Sequence, residues 1–298
     1  MRVTAIIAAF AAIVGAAQAG GWHYGLPDSG LAPSYGKMEF YTRMAERHGE
    51  ASDFSLQSYA LTIPLADPRK TGFGDTLLNM QLDAKVSIIN GGGTFRLENE
   101  TLYNLALPIT FITPMGNGNR WTYGAAPEMA ADSETISKGL DLTLYAFYTI
   151  KNSEHFNYSL GLAASPRFAE YLVLPMVRFE WTPNERWSVD LNMYELRALY
   201  HATNRLAVGP FMSARGGVWA VETERGARML RVRSLVAGVT MEYDFSQPGQ
   251  TKRVITAALG SPITSHAQFC NRTAGKDAYE SHHYKPGLYI AVGVDFRF

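Results

Sequence analysis

The sequence predicts an all-β fold, an antiparallel up-and-down transmembrane β-barrel of about twelve strands that follows a cleaved signal peptide. Three observations predict it. The segment Leu288 to Phe298 alternates apolar and polar residues and finishes on an aromatic side chain. The same alternation recurs upstream between short polar turns. Beyond the N-terminal leader, every hydrophobic stretch is interrupted within a few positions, whereas a membrane helix needs about 20 apolar residues. A helical membrane protein is thereby excluded.

Residues 1–19 read as a signal peptide. Arg2 supplies the positive start, Ala5 to Val14 the uncharged apolar run, and Ala17-Gln18-Ala19 the small-x-small cleavage site. Residues 20–36 read as an N-terminal extension and 37–298 as the barrel. Lys37 to Arg47 is a strand candidate that, with an N-terminal partner, raises the count to about fourteen.

The strands are read from period-two patterning, which places alternate residues on opposite faces. Leu78, Met80, Leu82, Ala84, Val86 and Ile88 oppose Asn79, Gln81, Asp83, Lys85 and Ser87. Leu97, Thr101, Tyr103, Leu105 and Leu107 oppose Arg96, Glu98, Glu100 and Asn104. Leu140 to Ile150, Phe156 to Leu162 and Trp187 to Met193 repeat the pattern, with a further short strand at Arg197 to His201 beyond a bend at Tyr194-Glu195. One face of each suits lipid and the other a polar lumen. Asn90-Gly91-Gly92-Gly93, Asn152-Ser153-Glu154, Thr182-Pro183-Asn184-Glu185, Thr203-Asn204 and Ser246-Gln247-Pro248-Gly249 are turn sequences. Ala66 to Asp75, Thr113 to Lys138 and His266 to Pro286 read as longer connections on the outer side. The last strand then ends at the periplasmic rim. There Phe298 resembles the assembly signal read by the barrel-assembly machinery.

Composition narrows the partners. Lys+Arg and Asp+Glu both number 27, so no basic surface is available for nucleic acid. The 27 glycines and the 15 Phe, 16 Tyr and 5 Trp suit many short strands and turns. Cys270 is the single cysteine, which precludes an internal disulfide; it reads as a loop thiol.

Leu174-Pro175-Met176-Val177-Arg178-Phe179-Glu180-Trp181, the turn Pro183-Asn184-Glu185-Arg186-Trp187, and Leu199-Tyr200-His201-Ala202-Thr203-Asn204-Arg205-Leu206 resemble an uncharacterised family of outer-membrane barrels, domain of unknown function 6268. The segment from Asp53-Phe54-Ser55-Leu56 to Ile63-Pro64-Leu65 is similar to its early strand. The resemblance spans Asp53 to Phe245 and departs at Ala202 to Leu206, where the family has a second aromatic after the basic residue. It implies a barrel and brings no catalytic residue.

The candidate functional residues are those expected to line the lumen: Asp83 and Lys85, Arg96 with Glu98 and Glu100, Arg178 and Glu180, Asp190 with Arg197, and Asp295 with Arg297. Rings of charge select solutes, whereas interleaved signs neutralise and narrow an interior. His282-His283, with His266 and Glu280, has metal-binding residue types, but adjacent residues of a strand point to opposite faces. His155 and Ser159 lie about 13 Å apart along a strand, too far for a nucleophile and its base. No nucleophile elbow, His-Glu-x-x-His helix or phosphate-binding glycine loop occurs. Arg43, Arg47, Arg69 and Lys70 read as solvated charges or contacts to anionic head groups. The expectation is therefore an outer-membrane protein of a Gram-negative bacterium, surrounded by outer-membrane lipid. It is a structural element or passive small-solute channel with a narrow charged lumen, not an enzyme, with no cofactor and no metal. A lipid-modifying or hydrolytic barrel and a surface adhesin or receptor are the alternatives.

Overall fold

A computed structural model describes residues 34–35, 44–45, 53–91, 97–165, 172–192, 194–247, 252–270, 280–284 and 287–297. The expected signal peptide (1–19), residues 20–33 of the extension, and Arg43, Arg47, Arg96 and Phe298 lie outside these residues, as does the side chain of Arg297.

The described residues are all-β. Seventeen strands form one sheet, and the only helical segments are single 3-10 turns at Gly116–Gly118 and Ile136–Lys138. The strands are β1 (Ser34–Tyr35), β2 (Met44–Ala45), β3 (Asp53–Lys70), β4 (Leu77–Gly91), β5 (Thr101–Ala106), β6 (Ile109–Pro114), β7 (Arg120–Ala131), β8 (Leu140–Lys151), β9 (Phe156–Ser165), β10 (Leu172–Asn184), β11 (Trp187–Leu191), β12 (Glu195–His201), β13 (Leu206–Val221), β14 (Arg228–Asp244), β15 (Lys252–Cys270), β16 (Glu280–His283) and β17 (Tyr289–Arg297). Nearly all pairings are antiparallel between neighbours in sequence, the order of an up-and-down meander.

Several strands share one crossing. β5 and β6 both pair with β4 on one side and β7 on the other. They are one strand broken at Leu107-Pro108, where proline supplies no N–H to the ladder. β16 and β17 both lie on the same edge of β15. β1 pairs with the end of β17, and β2 with the start of β3. One parallel pair, Ala220 with Ala131, joins β13 to β7 and closes a barrel from β7 to β13. On β15 the ladder slips by one position: Leu235 pairs with Thr264 and Val236 with Pro262, so Ile263 bulges out.

The connection expected from Thr113 to Lys138 is not a loop. It contains β7, which is masked in the sequence by the small residues Gly124-Ala125-Ala126 and by Pro127. Gly124 is required there, because a Cβ would meet the Ile109 carbonyl oxygen at 2.1 Å and the Tyr145 hydroxyl at 2.7 Å. The connection expected from Ala66 to Asp75 is also shorter. β3 continues to Lys70 through register shifts at Pro64/Ala66 and Ala66/Arg69, which hide the alternation. Cys270 is not in a loop; it ends β15 and is buried. His266 likewise lies in β15, and His282 and His283 in β16.

Burial is inverted relative to an ordinary sandwich. Leu61, Ile63 and Leu65 on β3, Leu140, Leu142 and Leu144 on β8, Leu160 and Leu162 on β9, and Leu259 on β15 are exposed. Their polar neighbours Ser58, Asp83, Lys85, Ser87, Thr143, Thr149 and Ser159 are buried. Polar side chains fill the interior in matched pairs: Ser58 with Ser87 at 2.9 Å, Thr149 with Ser159 at 2.8 Å, and Thr110 with Tyr145 at 2.6 Å.

Candidate functional site

The interior has two unlike ends. The chain reverses between β3 and β4, β7's start and β6, β8 and β9, β10 and β11, β12 and β13, and β14 and β15 at one end, the turn end. The opposite, loop end carries the connection between β7 and β8 and that between β13 and β14.

A chain of ion pairs lines one wall. It forms because the antiparallel ladder sets Glu180 opposite Asp190 and Asp190 opposite Arg197. Arg178 joins the first two: its Nη2 lies 2.5 Å from Glu180 Oε1 and 3.5 Å from Asp190 Oδ2. Arg197 is held between Glu195, 3.3 Å from its Nε, and Glu242. Arg215 contacts Glu195 Oε2 at 3.0 Å and donates from Nε to the Tyr289 hydroxyl at 3.3 Å. Each arginine meets at least one carboxylate, three arginines against four acids. The arrangement pairs the partly buried groups, and it leaves a polar wall that water reaches, with the Glu180 side chain 39% exposed.

The facing wall carries Asp83 and Lys85, both buried. Gln81 donates to both Asp83 oxygens at 3.2 and 3.3 Å. Lys85 Nζ donates to the Gly216 carbonyl at 3.2 Å and lies 5.8 Å from the Trp219 ring centroid. Glu128 accepts from the Thr143 hydroxyl at 3.0 Å.

At the loop end the interior becomes apolar. Phe54, Leu56, Ile89 and Leu102 from β3, β4 and β5 pack against Trp219, Val221, Leu230, Val232 and Phe269 from β13, β14 and β15, and against Tyr284. β5 and β13 both pair with β7, so the cluster sits where these two parts of the sheet meet. Trp219 is 0% exposed, and its Nε1 donates to Asn104 Oδ1 at 2.6 Å. The cluster is a cap over the polar interior.

The expected lining residues divide accordingly. Asp83, Lys85, Arg178, Glu180 and Asp190 lie inside. Asp295 is half-buried on β17, on the same face as buried Tyr289 and Ala291. Glu98 and Glu100 precede β5 and are exposed, because the ladder to β4 begins only at Thr101. The backbone of Arg297 pairs with Ser34 and Lys252. Arg197, expected beside Asp190, lies inside as well; Glu195, Arg215, Glu242 and Glu128 are interior charges that the expected set lacked, and period-two alternation extended through β12, β13 and β14 finds most of them.

No group of three or more His, Cys, Asp or Glu residues that could hold a metal occurs among the described residues. His266 and His283 meet on the outer face, Nδ1 to Nδ1 at 2.6 Å, too close for a metal between them. His282 faces the other way, towards Glu280 and Phe269. Burial, and then the neighbouring His283 and Arg233, hold the His266 imidazole below its usual range. The hydrogen bond from Arg228 holds the Glu280 carboxyl low. Both groups lie at the loop end, beyond the exposed apolar rows.

Ser159 bonds to Thr149 and His155 is an exposed turn residue, so that pair forms no constellation. A serine–histidine contact that sequence spacing missed joins Ser188 Oγ to His201 Nε2 at 3.0 Å across β11 and β12. A hydrolytic pair needs a third group on the other ring nitrogen, and among the described residues none bonds to His201 Nδ1.

The comparisons bear on the fold that carries this interior. A family model described as Domain of unknown function (DUF6268) matches residues 38–297. The chain belongs to this family. No curated protein and no solved structure matches the chain. Membership in DUF6268 brings no activity with it, so function rests on the interior itself, which is polar and charge-paired and ends in apolar side chains at the loop end.

Proposed function

We propose that the chain is an integral bacterial outer-membrane β-barrel, exported through a cleaved signal peptide, whose narrow charge-paired interior is a passive route for small solutes. The observation that carries this reading is the inverted burial. Leucines are exposed in rows while Asp83, Lys85 and Glu128 are buried. In water this arrangement forgoes the hydrophobic effect, at about 25 cal/mol per Å² of apolar surface; in lipid it costs nothing. The row on β8 from Leu140 to Tyr148 covers eight steps, about 27 Å along the strand and about 21 Å at a tilt of roughly 40°, close to the apolar band of outer-membrane barrels.

Aromatic pairs support a lipid boundary at the turn end. Trp121 stacks near Tyr148 with centroids 4.9 Å apart, Phe156 near Phe179 at 6.3 Å, and Trp187 near Tyr200 at 5.3 Å. Amphipathic rings collect at such boundaries. The pairing of β1 with β17 and of β2 with β3, both antiparallel, favours a barrel of about fourteen crossings over twelve. Phe298 serves as the assembly signal in this reading.

The test is refolding into phosphatidylcholine vesicles, with trypsin protection as the measure of insertion and planar-bilayer recording as the measure of conduction. Wild type inserts. Leu142→Arg loses insertion by about 30-fold or more, since a charge facing lipid at mid-band costs about 2–4 kcal/mol. Equal insertion of both proteins refutes the membrane reading. Insertion with no single-channel step in any variant leaves a structural barrel and removes the channel.

A further inference from the structure

β13 stays paired with β14 to Val221, but beyond Ser213, which pairs with Glu195 at the start of β12, its other edge crosses to β7. It turns inward at Gly216-Gly217, where Gly216 has φ +135° and an added Cβ would lie 2.1 Å from the Val232 carbonyl oxygen. No L side chain fits that position without strain. Lys85 Nζ caps the Gly216 carbonyl from the opposite wall. Past this point Val218 to Val221 are buried on both faces.

The tip lands on the β7–β8 connection. The Asp132 N–H donates to the Ala220 carbonyl at 3.0 Å, and the Thr135 hydroxyl to the same carbonyl at 2.7 Å. In return, Asp132 Oδ2 accepts the Glu222 N–H at 2.7 Å. Oδ1 accepts from the Glu134 N–H at 3.0 Å and the Thr135 N–H at 2.9 Å, and it lies 2.7 Å from Thr135 Oγ1, whose single proton it shares with the Ala220 carbonyl. Asp132 is 0% exposed. A carboxylate taken out of water is tolerated only with its oxygens satisfied, and here one of them depends on the docked tip. Undocking returns the carboxylate to water, which solvates it at once.

We propose that the β13–β14 tip is a stopper closing the loop end of the interior, bent inward at Gly216-Gly217 and latched by Asp132, and that opening parts its pairs with β15 beyond Arg233. The stopper rests on the channel reading above. Trp219 and its apolar neighbours provide the seal, while Asp132 and Thr135 set how long the tip stays docked.

The experiment is single-channel recording of the full chain in planar bilayers, with folding of every variant checked by heat-dependent gel mobility. Three changes are compared with wild type: Asp132→Ala, the milder Thr135→Val, and replacement of residues 219–229 by a short turn. Wild type opens rarely. Asp132→Ala raises the open fraction roughly a hundredfold, Thr135→Val roughly tenfold, and the shortened hairpin stays open. If the shortened hairpin conducts while both point variants match wild type, the latch is overturned and the stopper and channel stand. If all four proteins conduct alike, the stopper is overturned and the channel stands. If the folded, shortened protein conducts nothing, stopper and channel fall together. Should Asp132→Ala not fold, Thr135→Val decides the latch alone, because it removes only one hydroxyl.

Discussion

Truncating Trp219 tests whether the loop end is packed shut. Trp219→Ala removes an indole that is 0% exposed and inserted among Phe54, Ile89, Leu102 and Leu230. Burying a tryptophan removes about 150–250 Å² from water. At 25 cal/mol per Å² this gives about 4–6 kcal/mol, an upper figure because the unfolded chain already hides part of that area. Core Trp→Ala changes cost about 3–5 kcal/mol. Asn104 would also lose its donor at 2.6 Å, worth about 1 kcal/mol more. The expected loss is about 4–5 kcal/mol. Trp219→Phe keeps most of the area and loses the hydrogen bond, for about 1–2 kcal/mol. Urea unfolding in vesicles, followed by circular dichroism, measures both. A loss below about 1 kcal/mol for Trp219→Ala would mean that the indole faces water, and the apolar cap would be wrong.

Two further outcomes follow from the charged groups. Arg197→Ala leaves Glu195 and Glu242 facing each other's vacancy and should cost about 2–3 kcal/mol in urea unfolding, reduced from the fully buried figure because water reaches the site; Arg197→Ala with Glu242→Ala should recover part of it, and strict additivity would show that the pair is not coupled. Acidification should loosen β16 from β15. His266 titrates below its ordinary 6.5 in the folded chain, so the unfolded chain takes the proton first and stability falls as pH drops below about 6.5; Glu280, held below 4.5, loses its contribution only at lower pH as it protonates. Hydrogen exchange at Glu280–His283 between pH 8 and 4 reads this directly, and a flat profile, identical in His266→Gln, contradicts it.

Much of the wall was legible because period two is a local signal. Asp83 and Lys85 on β4 and Asp190 on β11 were placed on an inward face by their apolar neighbours alone. β7 was not legible. Its apolar side chains are replaced by Gly124, Ala125 and Ala126, whose smallness makes room for Tyr145, a residue on the next strand. The pairing of charges was also beyond local reading. Alternation says that Arg197 points inward, but only the register of β12 against β13 and of β13 against β14 brings Glu242 to it. The cap was least legible. Val218 to Val221 reads as an ordinary strand end, and the contact of Ala220 with Asp132 joins segments 88 positions apart by their numbers. Gly216-Gly217 in a strand signals a weak point, but the direction it bends is not contained in the sequence.

The bulge at Ile263 sets the parity of everything beyond it on β15. Below it the even-numbered Val254 and Pro262 point inward; above it the odd-numbered Ser265, Ala267 and Phe269 do. That switch delivers Phe269 to the cap and keeps His266 and Gln268 outside. Losing one residue normally turns the remainder of a strand inside out. Here the position at which a residue can be lost with both halves keeping their orientation is Ile263 itself. A deletion one crossing away would turn a charged row to the outer face, whereas this one would merely straighten a kink. The spare residue thus serves as a phase shifter, letting one continuous strand belong to a polar wall at one end and an apolar cap at the other.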